Sequence, residues 1–78
     1  MLQEELFRHI GKRIKKLREE KNISQQALAY LCDFEKSNMS RIESGRTNPT
    51  IGTLYKISLA LSVNLIELLE FDSIQENA

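Results

Sequence analysis

Residues 23–50 constrain this chain more than any other segment: Ile-Ser-Gln-Gln-Ala-Leu-Ala-Tyr-Leu-Cys-Asp-Phe-Glu-Lys-Ser-Asn-Met-Ser-Arg-Ile-Glu-Ser-Gly-Arg-Thr-Asn-Pro-Thr. Leu28, Leu31 and Cys32 fall on one side of a short helical stretch, with Ala29 small enough to admit a close neighbour. Ser24 is a good N-cap for it. Ala27, not Glu or Gln, follows three residues on, so there is no full capping box. A second stretch, from about Lys36 to Ser44, turns Met39 and Ile42 inward and is stopped by Gly45 as its C′ residue. Its cap position, Glu35, is weaker than a good cap by about 1 kcal/mol. Only a tight connection around Asp33 separates the two, and aspartate adopts the left-handed conformation at some cost. Two short amphipathic helices joined in this way, the second with polar and basic residues outward, make a helix-turn-helix. The second helix of such a pair is shaped to enter a DNA major groove.

The flanking sequence supplies supporting helices. Upstream, Phe7, Ile10, Ile14 and Leu17 recur at i, i+3, i+7 and i+10 as one helical stripe, which Leu2 and Leu6 can extend backwards. That segment ends near Lys21-Asn22, where asparagine suits a left-handed position. Downstream, Asn48-Pro49-Thr50 reads as a turn and N-cap before a fourth helix striped by Leu54, Ile57 and Leu61. Asn64 can cap a fifth carrying Leu65, Leu68 and Leu69. Tyr30 and Tyr55 are expected to be half-buried with their hydroxyls at the surface. No strand-like alternation occurs. The expectation is an all-α domain of five helices over residues 1–71, with a polar, frayed tail over residues 72–78.

Seventy-eight residues allow one domain at most. A chain of this size buries only ~60% of its unfolded surface, so economical packing or a partner subunit has to supply the rest. The lone Cys32 cannot form an intramolecular disulfide and falls on an inner helix face. No apolar run approaches the ~20 residues of a membrane span. The N-terminus has no signal-peptide pattern, so the chain reads as soluble and cytoplasmic. The net charge of zero hides an asymmetry. All eleven Lys and Arg lie between Arg8 and Lys56 with only five acids among them, which leaves that stretch at +6. The ends are acidic. A basic centre fits a surface that faces phosphate, although Lys12, Lys15, Lys16 and Lys21 can equally be no more than a solvated helix face.

The donor-bearing residues divide by position. Lys36 and Arg41 can donate to guanine O6 and N7, Ser37 can pair with several base edges, and Asn38 can read adenine or hold a phosphate. Ser24 and Gln25, in the first turn of the second helix, suit a phosphate contact beside free backbone N–H groups. Arg46, Thr47 and Asn48, in the turn after the third helix, suit a second backbone clamp, while Asn48 can equally shape the turn before Pro49. Closure of the core by Leu65, Leu68 and Leu69 leaves Ile66, Phe71 and Ile74 as candidates for a dimer interface; Phe71 can also fold back over the first helix. His9 and Cys32 are too few and too far apart in sequence for a structural metal site. No Gly-rich phosphate loop, nucleophile elbow or carboxylate pair points to catalysis. No enzyme, cofactor or metal is therefore expected.

Residues 10–70 also resemble the Cro/C1-type (Xre-like) family of bacterial and phage transcription regulators. The resemblance implies a compact five-helix, lambda-repressor-like DNA-binding domain with its helix-turn-helix at helices two and three. It implies that Ser24-Gln25 grips phosphate, that positions 36, 37 and 41 read bases, and that the basic residue after Gly45 contacts the backbone. It also implies that Arg18 on the first helix pairs with Glu43 at the end of the third. Two departures stand out: Asp33 replaces the usual turn glycine, and Glu35 replaces the usual Ser or Thr cap. The expected partner is double-stranded DNA, met by a homodimer on a near-palindromic operator with possible autoregulation. No membrane and no small-molecule effector domain enter this reading. A rival of another class uses the same fold as a protein-interaction module, such as an antitoxin that masks a toxin, with DNA binding secondary.

Overall fold

The computed structural model describes residues 1–71. Four α-helices follow one another: α1 (Gln3–Glu20), α2 (Gln25–Leu31), α3 (Lys36–Glu43) and α4 (Ile51–Leu61); a 3-10 turn (Leu65–Leu69) completes the set. The expected frayed tail over residues 72–78, and Ile74 within it, lie outside the described residues. α1 is the central support and packs on every other element, whereas α4 packs on α1, α2 and the 3-10 turn but not on α3. Ile10, Ile14 and Leu17 of α1 meet Leu28, Ala29 and Cys32, then Met39 and Ile42, then Leu54, Ile57 and Leu61, and Leu68 closes the core. Phe7 of the expected α1 stripe is only half-buried, and Leu2 precedes the helix at its N-cap.

The helix ends explain how so short a chain turns so often. Each α-helix finishes in the same double hydrogen bond, with a left-handed residue at C′. Asn22 donates to the Glu19 carbonyl (3.0 Å) and Ile23 to Arg18 (3.0 Å). Asp33 donates to Tyr30 (3.0 Å) and Phe34 to Ala29 (2.8 Å). Gly45 donates to Ile42 (3.1 Å) and Arg46 to Arg41 (2.9 Å), while Ser62 and Val63 close α4 on Leu59 and Ser58. The C′ residues Asn22, Asp33, Gly45 and Ser62 have φ of 59°, 61°, 76° and 59°. Ile23, Phe34 and Val63 then tuck against the core, adding the apolar contact that accompanies this closure. At the opposite ends, the Ser24 and Thr50 side chains accept from the backbone N–H groups of Ala27 and Thr53, both at 3.0 Å.

α1 lies unusually close to α3. A Cβ placed on Gly11 would meet the backbone carbonyl oxygen of Glu43, and would come within 2.6 Å of that of Ile42. A Cβ on Gly45 would lie 2.6 Å from Cγ and 2.7 Å from Cα of Arg8. Glycine at both places lets α1 cross the C-terminal end of α3 at backbone contact.

Four expectations change. The fifth element is a 3-10 turn and not an α-helix; Asn64 N–H donates to the Glu67 carboxylate (2.8 Å) and Glu67 N–H to the Asn64 carbonyl (2.9 Å). Five residues cannot close more than one helical turn, and the tighter i→i+3 pattern is usual for such a piece. Leu31 is 57% exposed, because the inward face of α2 is Leu28, Ala29 and Cys32, and Leu31 lies roughly 100° of rotation from its centre. Tyr30, on the far side of α2, is 83% exposed, and Tyr55 is also exposed. Leu69 is exposed too, leaving Leu68 to close the core with Leu65 beside it.

Candidate nucleic-acid interface

α3 has one apolar side and one side of donors. Met39, Ile42 and Glu43 are buried, and Lys36, Ser37, Asn38 and Arg41 are exposed. At 100° per residue, Ser37 and Arg41 sit together at the centre of the outward face, Lys36 on the flank toward α1 and α2, and Asn38 on the other. Glu35 caps α3 with extended backbone but no side-chain hydrogen bond, so the first turn keeps open N–H groups.

Two shallow depressions flank this helix. One is lined by Lys15 and Arg18 of α1, by Ser24, Gln25 and Gln26 at the start of α2, and by Lys36, Ser40, Glu43 and Ser44. The other is lined by Ser37, Ser40, Arg41 and Arg46. Arg46 Nε donates to Ser44 Oγ (3.1 Å), which in turn donates to the Arg41 carbonyl (3.2 Å). The post-helix arginine is thus anchored beside Arg41. Thr47 is half-buried and Asn48 exposed on the same connection to α4.

The floor of the first depression is a closed ion-pair network. Arg18 Nε donates to Glu43 Oε2 at 2.7 Å, Nη2 to Oε1 at 3.0 Å, and Nη1 to the Ile23 carbonyl at 2.9 Å. Gln25 Nε2 donates to the same Oε1 at 3.0 Å. Arg18 and Glu43 are each 8% exposed, and the hydrogen bond to Glu43 holds the guanidinium above its ordinary pKa against the opposing cost of burial. The pair fixes α1 to the end of α3 and, through Gln25, to the start of α2. One amide N–H of Gln25, expected to face phosphate, is therefore spent on Glu43. Every buried side-chain donor and acceptor among the described residues has a partner.

The dimer candidates are separated. Ile66 is 68% exposed, whereas Phe71 folds back onto α1, its ring stacked on His9 at 5.3 Å. Arg13 holds the same segment, donating from Nε to the Glu67 carbonyl (2.7 Å) and facing the Glu70 carboxylate (3.5 Å). The extended backbone at Glu70 turns the chain toward α1 and gives Phe71 its home. Sequence reasoning missed a longer apolar stripe, Ile51, Tyr55 and Leu59 on α4, all exposed and spaced four residues apart. That spacing was legible as a second stripe beside Leu54, Ile57 and Leu61. It also gave Lys15 no place in the site, although Lys15 precedes Arg18 by three residues and so shares its face.

Cys32 is buried, and burial pushes its thiol pKa up, with Lys56 opposing. Among the described residues no group of three or more His, Cys, Asp or Glu side chains is placed to hold a metal ion. None of their helices is long and apolar enough to cross a membrane.

Comparison with known proteins agrees with this geometry. The helix-turn-helix domain family matches residues 11–70. Control protein C.BamHI of Bacillus amyloliquefaciens is 38% identical over 65 residues, covering 82% of this chain and 80% of its own. The restriction-modification controller C.AhdI from Aeromonas hydrophila superposes with a TM-score of 0.78 at 31% identity, over 80% of this chain and 94% of that one. The biofilm regulator SinR, solved in complex with DNA, is 44% identical with a TM-score of 0.72, over 78% of this chain and 98% of that one. With the helix pair, its Arg18–Glu43 brace and its outward donor face in place, the chain belongs to the helix-turn-helix family, among the Cro/C1-type (Xre-like) transcription regulators.

Proposed function

We propose that this protein binds double-stranded DNA sequence-specifically through α3 and regulates transcription in the cytoplasm as a homodimer. The observation that carries the reading is the outward face of α3: four exposed side chains with base-compatible donors, Lys36, Ser37, Asn38 and Arg41, on a helix whose other side is locked into the core. Such a helix enters the major groove by its N-terminal end. Ser24, Gln25, Arg46, Thr47 and Asn48 flank it on both sides and would take the phosphate backbone, setting register without reading sequence. A solved complex of the SinR relative with DNA supports this reading.

Two copies related by a two-fold axis would present two α3 helices ~34 Å apart to successive major grooves. Ile51, Tyr55 and Leu59, with Ile66, are exposed apolar side chains on elements that make no contact with α3. They suit a second copy that leaves the DNA face open. Residues 1–71 act here as one domain, and autoregulation from the gene's own upstream DNA is the simplest circuit.

Selection of bound duplexes from a randomised DNA pool at near-physiological salt tests the proposal. An enriched inverted repeat is the expected result. Enrichment of a single half-site would remove the dimer and keep the DNA reader. A pool with no enrichment would overturn the reading and leave the protein-interaction role as the better account of the exposed apolar stripe.

A further inference from the structure

The depression between α1, α2 and α3 has charged side chains but little charge to spare. Arg18 directs Nε, Nη1 and Nη2 to protein oxygens, and its charge faces the Glu43 carboxylate. Gln25 gives one amide N–H to the same carboxylate. Ser24 Oγ already accepts from the Ala27 N–H. Of the lining residues, only Lys15 and Lys36 carry an uncommitted charge: both are exposed, and neither side chain makes a hydrogen bond or ion pair among the described residues.

We infer that Lys15, a first-helix residue, is a principal ligand for one DNA phosphodiester at this depression, with Lys36 on the opposite wall. The inference rests on the proposed DNA-binding role of α3 and adds a residue to it. The start of α2 was expected to hold the phosphate, yet one amide N–H of its Gln25 goes to the ion pair. Gln25 braces the ion pair that sets the angle between helices, and Lys15 supplies the cation. Because α3 forms the other wall of the depression, a strand phosphate beside an α3 seated in the groove passes over it. An ammonium on a flexible stem serves there as a point charge, adding affinity on any sequence but no discrimination between sequences.

The test compares Lys15→Gln with Lys12→Gln, which removes the same charge from an exposed α1 position outside the depression. Binding to a random-sequence duplex and to DNA from upstream of the protein's own gene is titrated by fluorescence anisotropy from low to near-physiological salt. Lys15→Gln should reduce the slope of log K against log salt by about 0.9 per protomer, equally on both duplexes. Lys12→Gln should leave it nearly unchanged. A fourfold rise in salt would then narrow the gap between wild type and Lys15→Gln by about 3.5-fold per protomer, about twelvefold for a homodimer. A methylphosphonate replacing the contacted phosphate should weaken wild type and not Lys15→Gln. Equal slopes for both variants, or the same methylphosphonate penalty in Lys15→Gln at every position, would overturn the assignment while leaving Lys36 and Arg41 as readers. Wild-type protein that binds neither duplex at low salt would overturn it together with the DNA-binding role. Since Lys15 is exposed, an unchanged thermal melt confirms that the variant is folded.

Discussion

Ser62 and Asp33 hold left-handed backbone, with φ of 59° and 61°, although each carries a Cβ. An L-residue in that conformation costs about 1–2 kcal/mol, part of which glycine gives back as unfolded-state entropy. Ser62→Gly and Asp33→Gly should therefore each stabilise the fold by about 0.5–1 kcal/mol, read as a higher urea midpoint at constant slope. Lower midpoints would show that the side chains contribute something the backbone geometry conceals. Asn22, Asp33 and Gly45 were legible as turn residues, because asparagine, aspartate and glycine signal left-handed positions. Ser62 was not, since serine carries no such signal; its φ and the hydrogen bonds of Ser62 and Val63 reveal it. Arg18 and Glu43 make the opposite case: the pair was read only from the family resemblance, and no spacing rule joins residues so far apart in sequence. Losing one partner strands a buried charge, so Arg18→Met should cost about 3–5 kcal/mol. The double variant Arg18→Met/Glu43→Met should cost less than that single change; a larger loss would show that the pair itself, beyond its mutual neutralisation, holds the helices.

Helix contacts, more than helix propensities, set the shape around α3. α1 runs over its C-terminal end because Gly11 offers no Cβ to the carbonyl oxygens of Ile42 and Glu43. By propensity alone Gly11→Ala would gain about 1 kcal/mol in mid-helix. Here the opposing atoms are backbone and cannot rotate away, so overpacking dominates and the substitution should destabilise by about 1–3 kcal/mol. A thermal melt distinguishes the two signs, and a raised melting temperature would contradict the close crossing. Stripe patterns located four helices and most of the core, because buried Ile and Leu recur with helical period. They could not supply the pitch of the last element or the return of Phe71 to His9. The first depends on the competition between i→i+3 and i→i+4 bonds over five residues, and the second on a change of direction at Glu70.

Across the whole molecule, the donor-bearing α3 and the apolar outer stripe of α4 make no contact, which would leave one surface for DNA and the other for the proposed second copy. If the stripe carries the dimer, Tyr55→Glu should shift the protein to monomer in sedimentation without lowering its melting temperature in the monomeric limit. A dimer of undiminished affinity would place the interface elsewhere. From the sequence Tyr55 reads as half-buried and Leu59 falls outside the core stripe, since periodicity marks the covered side of α4 without saying how fully the other side is exposed. The donor face itself was legible from residue types and from the position of Gly45. Base reading by α3 is tested by the ratio of affinities for a selected site and its scrambled counterpart. That ratio is to be taken for wild type, Lys36→Ala and Arg41→Ala at fixed near-physiological salt. Each substitution should lower the ratio by about 1–3 kcal/mol, roughly five- to 150-fold, through loss of affinity for the selected site. Equal loss on both duplexes, with the ratio intact, would reduce these residues to phosphate contacts and contradict a base-reading α3.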